Sequence, residues 1–172
     1  MAVSRKQKIG YGAASIGTIA IAAALVGPLE GRTLKAYLDI GGVPTICDGI
    51  TGTINGQPIR LGQTATNAQC DGLLGERLGK ALQVVDTTVR LPLSPHQRAG
   101  LASFVYNVGE TAFRKSSLVK DINRGNLLAG CNRLRAWVFI KNKDCRIAAN
   151  KCSGIVRRRE IERQYCLNEV AH

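Results

Sequence analysis

The chain has 172 residues and a formal net charge of +12, with 24 Lys and Arg against 12 Asp and Glu. That length fits one folded domain, and 45% hydrophobic residues with a mean hydropathy of −0.02 exclude an intrinsically disordered chain. The positive charge favours a polyanionic partner: nucleic acid, acidic lipid or an anionic cell wall. Aromatic residues make up only 5% and none is interleaved with a basic stretch, so we expect no nucleic-acid partner.

Six cysteines are more than a cytosolic chain of this size usually carries. There is no CxxC pair, and His96 and His172 are the only histidines, so we expect no metal site and no cofactor. We predict disulfides and an oxidising compartment such as the periplasm. Fifteen pairings of six cysteines are possible. We favour one pair inside a short loop, one between the predicted sheet and the next helix, and one between two late helices. These are Cys145–Cys152, Cys47–Cys70 and Cys131–Cys166.

An uncharged segment, residues 9–28, follows the cations Arg5, Lys6 and Lys8. As a helix it would be about 30 Å long, the thickness of the bilayer core, and the basic flank would stay in the cytoplasm. Twelve of its 20 residues are Gly, Ala, Ser or Thr, which makes it marginal for membrane insertion. We therefore expect a segment that can be exported in the inner membrane and can later leave it.

Three alternatives for this segment stay open. It could be a cleaved signal peptide, because Ala22, Ala23 and Ala24 offer small residues to a peptidase. It could be a permanent anchor that packs through Ala13 and Gly17. It could also be only a buried core helix.

After this segment the patterns predict a small sheet followed by helices. Residues 34–60 are rich in Gly, Thr, Val and Ile, with turn signals at Gly41–Gly42 and Asn55–Gly56, which predicts two or three antiparallel strands. Capping residues predict helices that begin at Thr66 (running to about Val85), Ser94 (ending at Gly109), Asn126 and Ser153. The residues expected to be buried at helical spacing are Leu73, Leu74, Leu78, Ala81, Leu82, Leu101, Phe104, Val105, Val108, Leu127, Leu128, Cys131 and Leu134.

Two other features are expected to be without a catalytic role. Ser94 and His96 lie in one capping turn, too close along the chain for a Ser-His-Asp site. The run Arg157, Arg158 and Arg159 is typical of a solvated helix face.

A carboxyl-bearing pattern follows the uncharged segment directly: Glu30, then Asp39 nine residues later, then Thr45 six residues later. Further on stands Ser103-Phe104-Val105-Tyr106-Asn107-Val108-Gly109. With these motifs the chain resembles the phage-type lysozyme family (glycoside hydrolase family 24) over roughly residues 29–168, and with its N-terminal segment it resembles a signal-arrest-release endolysin. The resemblance implies an α+β, lysozyme-like fold, mostly helical with a small antiparallel sheet near the N-terminus.

The resemblance also implies roles for the three residues. Glu30 would be the general acid, with its proton retained by partly apolar surroundings; Asp39 would stay ionised and position a water, and the Thr45 hydroxyl would orient it. This is an inverting arrangement, which needs roughly 6.5–9.5 Å between the carboxyl groups. No further substrate-binding residue is assigned. Ile50 stands where the family commonly has His, and Asp48 is unusual at its position, so the packing of the sheet could differ.

The function that this implies is hydrolysis of the β-1,4 bond between N-acetylmuramic acid and N-acetylglucosamine in peptidoglycan. We expect residues 1–28 to be the arrest segment and residues 29–172 the catalytic domain. The precursor would lie in the host inner membrane facing the periplasm and be released there as a monomer. Its expected partner is peptidoglycan. Two alternatives are a lytic transglycosylase and a non-catalytic wall-binding regulator of lysis.

Overall fold

The computed structural model describes residues 13–39, 41–54 and 56–170. The predictions that concern Arg5, Lys6, Lys8, Asn55 and His172 lie outside these ranges. The helices are α1 (Ala13–Glu30), α2 (Asn67–Thr88), α3 (Pro95–Val108), α4 (Glu110–Lys115), α5 (Ser117–Asn123), α6 (Leu127–Asn132) and α7 (Gly154–Leu167). The strands are β1 (Thr33–Leu38), β2 (Pro44–Cys47), β3 (Ile50–Thr51), β4 (Thr53–Ile54), β5 (Gln57–Pro58), β6 (Phe139–Ile140) and β7 (Lys143–Asp144). The predicted α+β class, mostly helical with a small sheet near the N-terminus, is confirmed.

The sheet has the order β1-β2-β3 and is antiparallel throughout, with Thr45 of β2 facing both Tyr37 of β1 and Thr51 of β3. A short hairpin of β4 and β5 follows it. Ile50, at the position where His was expected, is buried in a small apolar cluster with Ile46 and Ile59. The change from His to Ile therefore adds an apolar side chain to the core of the sheet.

Capping motifs set the starts of the two longest helices after the sheet. The Thr66 hydroxyl accepts from the Gln69 amide before α2, and the Ser94 hydroxyl accepts from the Gln97 amide before α3, each completed as a capping box. Gly109 ends α3 as predicted. Helix α2 runs three residues beyond the predicted Val85, to Thr88. Its last hydroxyls bond to carbonyls of the preceding turn, which lets Thr residues remain helical there.

The main core lies between α2, α3, α5, α6 and α7. Its largest fully buried apolar side chains include Leu101, Phe104, Phe113, Leu118, Ile122 and Leu134. The prediction that Leu128 points inward is wrong, because this side chain is 61% exposed. Helix α6 is only six residues long, and Gly130 approaches α5 so closely that any side chain there would meet Ile122. Gly130 thus lets the backbone of α6 approach α5 closely, and Leu128 lies on the exposed face of α6.

All three predicted disulfides are confirmed. The Cα–Cα distances are 5.3 Å for Cys47–Cys70, 5.7 Å for Cys131–Cys166 and 4.9 Å for Cys145–Cys152. They join β2 to α2, α6 to α7, and the two ends of one loop, so each of the three predicted kinds of link is present.

Helix α1 packs against α2 and α3. Ala22, Leu25 and Val26 are buried with Leu74 and Leu78 of α2, while the opposite face of α1 is exposed. Among the described residues, no helix has the length and apolar character needed to cross a membrane. The segment expected to end at residue 28 is continuous with the last turn of α1, so α1 leads directly to Glu30.

Candidate active site

Glu30 is the last residue of α1, and the helix ends there because Gly31 adopts a left-handed conformation (φ 67°). The Glu30 side chain is 19% exposed. One carboxylate oxygen, Oε1, accepts a hydrogen bond from Arg158 of α7. The other, Oε2, lies over Gly49 in the turn between β2 and β3, where a Cβ atom would be 3.1 Å away. Glu30 thus lies between the helical part of the molecule and the sheet.

A buried group of ions stands behind Glu30. Glu162 of α7 is fully buried, and its carboxylate accepts from the Ser103 hydroxyl at 2.8 Å, from Arg158 Nε at 3.0 Å and from Arg159. Arg159 also donates to the Trp137 carbonyl and the Asn107 side chain. Burial lowers the pKa of Arg159. For Arg158, burial also acts to lower the pKa, but Glu162 and Glu30 outweigh it and place that pKa above the ordinary value.

The expectation that residues 157–159 form a solvated helix face is wrong for two of the three. Arg157 is exposed, but Arg158 is 4% and Arg159 2% exposed. On a helix, residues three and four positions apart share a face, so both arginines reach Glu162. Buried charges paired in this way escape the cost of isolated buried charges. The combination of Arg158, Arg159 and Glu162 on one helix face was the sequence signal for this group.

Asp39 follows β1 and is fixed by its own loop. Its Oδ1 accepts from the amides of Gly41 at 2.8 Å and Val43 at 2.9 Å, and its backbone amide donates to the Val43 carbonyl at 3.0 Å. The carboxylate is half-buried. Its position is therefore set by backbone groups, which hold one oxygen in a defined direction.

Thr45 lies in β2, is 3% exposed, and donates its hydroxyl proton to the Val43 carbonyl at 3.0 Å. Its oxygen lone pairs can still accept a hydrogen bond. Val43 thus contacts both Asp39 and Thr45, and links them. The structure places Asp39 directly after β1, Thr45 near the start of β2, and Glu30 beside the turn after the end of β2.

The turn between β2 and β3, formed by Asp48 and Gly49, is held by Arg32 and by Tyr106. The Asp48 carboxylate is buried and accepts two hydrogen bonds from Arg32, at 3.1 and 2.9 Å, and the Asp48 carbonyl accepts from the Tyr106 hydroxyl at 2.6 Å. Burial, helped by the negative charges of Glu30 and Asp48, raises the pKa of Tyr106 to about 12. The phenol is therefore a neutral hydrogen-bond donor at physiological pH.

A groove opens beside this turn, between the sheet and the helices. Its volume is about 330 Å³, and it is lined by Gly49, Ile50, Thr51, Arg77, Lys80, Ala81, Val84, Val105, Tyr106 and Glu110. A second cavity of about 520 Å³ is lined by residues that include Asn107, Trp137, Phe139 and Arg159. In the ranges that the structure describes, no group of three or more His, Cys, Asp or Glu side chains could hold a metal ion.

Comparisons with known proteins agree on one family. The profile of the phage lysozyme family matches residues 27–162. The chain is 39% identical over 157 residues to a SAR-endolysin of Enterobacteria phage PA-2, covering 88% of each protein. It is 34% identical over 168 residues to a SAR-endolysin of Escherichia phage 933W, covering 93% of this chain and 94% of that protein. Its structure resembles the endolysin from Escherichia coli O157:H7 phage FAHEc1, with a TM-score of 0.73, 27% identity and 99% of each chain covered.

Proposed function

Because the chain belongs to the phage lysozyme family, we propose that Glu30, Asp39 and Thr45 are the catalytic residues of this peptidoglycan-cleaving glycosidase. It is a phage endolysin of the muramidase type. The bond that it hydrolyses is the β-1,4 link between N-acetylmuramic acid and N-acetylglucosamine. One observation supports the assignment most: one oxygen of Glu30 accepts from a buried arginine, and the other lies against Gly49, which lines the groove.

The proposed acid is Glu30. Hydrolysis of a glycosidic bond requires a proton on the leaving oxygen, and the donor becomes a carboxylate as the bond breaks. The surroundings of Glu30 are not partly apolar as the sequence predicted, because Arg158 contacts its Oε1, and the charge that appears on Glu30 as it gives up its proton would meet this buried cation. Glu162 and Arg159 lie behind this pair. After proton transfer the group therefore contains two carboxylates and two guanidinium groups, and its formal charges cancel. The arrangement stabilises the product state of proton transfer.

Asp39 and Thr45 are proposed to position the attacking water. The loop amides of Gly41 and Val43 fix Asp39 Oδ1, and the Thr45 hydroxyl is held by the Val43 carbonyl. A water between the two side chains could donate to the carboxylate and to the Thr45 oxygen. Attack by such a water, on the sugar face opposite Glu30, gives inversion.

The product mass tests the reaction type. Digestion of purified peptidoglycan should give fragments that each carry one added water at the cleaved bond. A lytic transglycosylase would instead give anhydro ends, lighter by one water. A wall-binding regulator without activity would release no fragments and would not clear chloroform-treated Gram-negative cells in a turbidity assay.

We also propose that the chain is first exported as a membrane-arrested, inactive precursor in the host inner membrane and then released as a periplasmic monomer. Residues 1–28 would act as the arrest segment and residues 29–172 as the catalytic domain. The relatives named SAR-endolysin support this, as does the composition of α1. Small residues such as Ala22 pack α1 against the domain, and α1 ends at Glu30, so a helix left in the bilayer would withdraw Glu30 from Arg158.

Larger apolar side chains on the exposed face of α1 would hold the segment more firmly in the bilayer. They test release without disturbing the packing of α1 against α2 and α3. Gly17 and Ala20 of α1 are exposed, and a Cβ at Gly17 would meet nothing within 4 Å. Gly17→Leu with Ala20→Leu should keep the protein in membrane fractions and delay lysis. The control is Gly72→Leu at an equally open, exposed helix position of α2. A doubly substituted protein that stays membrane-bound and lyses on schedule would contradict activation by release.

A further inference from the structure

The turn that carries Asp48 and Gly49 touches the proposed catalytic acid directly. Gly49 has a left-handed backbone (φ 75°), and its Cα faces Glu30 Oε2 closely enough that a side chain would contact that oxygen at 3.1 Å. Gly49 also lines the groove. A displacement of this turn by a few tenths of an ångström would therefore change both the surroundings of Glu30 and the wall of the groove.

Arg32 ties this turn to the end of α1. Its guanidinium binds both oxygens of the Asp48 carboxylate, which is only 1% exposed, and its remaining nitrogen binds Asp71 of α2 at 2.7 Å. Arg32 stands two residues after Glu30 in the sequence. The same short segment thus carries the acid and the cation that holds the turn facing it.

Tyr106 ties the turn to α3 from the other side, through its 2.6 Å hydrogen bond to the Asp48 carbonyl. The Cys47–Cys70 disulfide fixes the residue before Asp48 to α2. The turn is therefore attached to the end of α1, to α2 and to α3, which are three separate elements.

A buried carboxylate is costly to place in a turn, and a well-packed apolar residue would be equally good or better for stability. What the pair of charges adds is direction, because a planar guanidinium that binds both oxygens allows little rotation or sliding. We propose that Arg32, Asp48 and Tyr106 are positioning residues that hold Gly49 against Glu30 and so fix the acid in the geometry for proton transfer. This inference rests on the proposed role of Glu30.

The test compares variants that loosen the turn with one that loosens an equivalent ion pair elsewhere. Arg32→Lys keeps the charge but loses the two-oxygen contact, and Tyr106→Phe removes only the hydroxyl. The control is Arg98→Lys, because Arg98 binds both oxygens of Asp86 at 2.8 and 2.6 Å between α2 and α3, and its contact with α1 is at Thr18, twelve residues before Glu30. Each purified full-length protein is measured for its melting temperature and for kcat and KM on soluble glycan strands of peptidoglycan.

We expect Arg32→Lys and Tyr106→Phe each to lower kcat about tenfold, with KM changed less than about twofold, because misplacement of a reacting group slows the chemical step. The double variant should lose less than the product of the two losses, since both act through one turn. Arg98→Lys should lower the melting temperature by a similar amount and leave kcat at the wild-type value.

Two results would overturn the inference. One is wild-type kcat in Arg32→Lys and Tyr106→Phe, and the other is an equal loss of kcat in Arg98→Lys, which would show a purely structural role. Glu30→Gln is measured in the same series to separate the two proposals. If Glu30→Gln is inactive and the turn variants are fully active, only the positioning role fails. If Glu30→Gln is active, the assignment of the acid fails, and the positioning role fails with it.

Discussion

Glu30 lies between two regions that hold it by different means. On the helical side, Arg158 and Arg159 are paired with Glu162 in a group whose side chains are at most 5% exposed. On the sheet side, the Arg32 side chain is 27% exposed, and its second partner, Asp71, is 67% exposed. Water can reach Arg32 and Asp71 on the sheet side, whereas Arg158, Arg159 and Glu162 on the helical side are almost wholly buried. The helical side should therefore contribute more to the stability of the molecule, although Arg158 also acts in proton transfer, whereas loosening the sheet side should mainly change the rate.

The largest effect should come from Glu162→Gln. This change removes the carboxylate that pairs with both buried guanidinium groups, and breaking a buried pair from one side costs about 3–5 kcal/mol. Chemical denaturation at neutral pH would measure it as a loss of the free energy of unfolding. The matched control is Glu160→Gln, two residues earlier in α7, whose carboxylate is 37% exposed and pairs with Arg135 and Arg163. An exposed pair is worth about 0–1 kcal/mol, so equal losses in both variants would contradict the comparison.

A smaller loss of stability but a distinct loss of rate should follow Gly49→Ala on the sheet side. Gly49 and Gly62 both have positive φ, of 75° and 81°, so Ala at either site costs about 1–2 kcal/mol. A Cβ at Gly62 would meet nothing within 4 Å, whereas one at Gly49 would meet Glu30 Oε2. We expect equal melting temperatures for Gly49→Ala and Gly62→Ala, and a loss of kcat only for Gly49→Ala. Equal kcat in the two variants would show that the turn does not influence the acid.

The smallest effect concerns alkaline stability. Burial raises the pKa of Tyr106 to about 12, above the unfolded value of about 10, so between these pH values the folded protein binds the phenol proton more tightly than the unfolded chain. The stability that this provides is complete below pH 10 and is lost as the pH rises to 12. Tyr106→Phe lacks this contribution. Its free energy of unfolding should fall less steeply than that of the wild type over pH 10–12, and parallel slopes would contradict the assigned pKa.

Much of the fold follows from local sequence signals. Thr66 with Gln69, and Ser94 with Pro95 and Gln97, specify helix starts through bonds within four residues, so the sequence predicts them. The failure at Leu128 has a tertiary cause, since the close approach of Gly130 to α5 turns that face of α6 outward. Helical spacing alone does not show which face meets a neighbour.

The residues of the site also divide into those that a local sequence signal predicts and those that only tertiary contacts bring together. Glu30, Asp39 and Thr45 lie within one short stretch whose spacing can be recognised in the sequence. Arg158 comes from 128 residues further on, and its burial depends on Glu162 and on the approach of α7 to α1 and α3. Tyr106 and Arg32 meet Asp48 only when α3, α1 and the sheet are assembled. Contacts between distant elements carry no local signal, so the spacing of Arg158, Arg159 and Glu162 can indicate a paired face of α7 but not that this face surrounds the acid.

The central claim is that Glu30 supplies the proton that breaks the glycosidic bond. Its most direct test is the rate at which purified Glu30→Gln digests isolated peptidoglycan, beside wild type and Glu169→Gln, which makes the same change at an exposed carboxyl. The Gln side chain can still accept from Arg158, so a similar melting temperature is expected. The account predicts a loss of about 10²–10⁴-fold for Glu30→Gln and none for Glu169→Gln. Digestion by Glu30→Gln at the wild-type rate would contradict it.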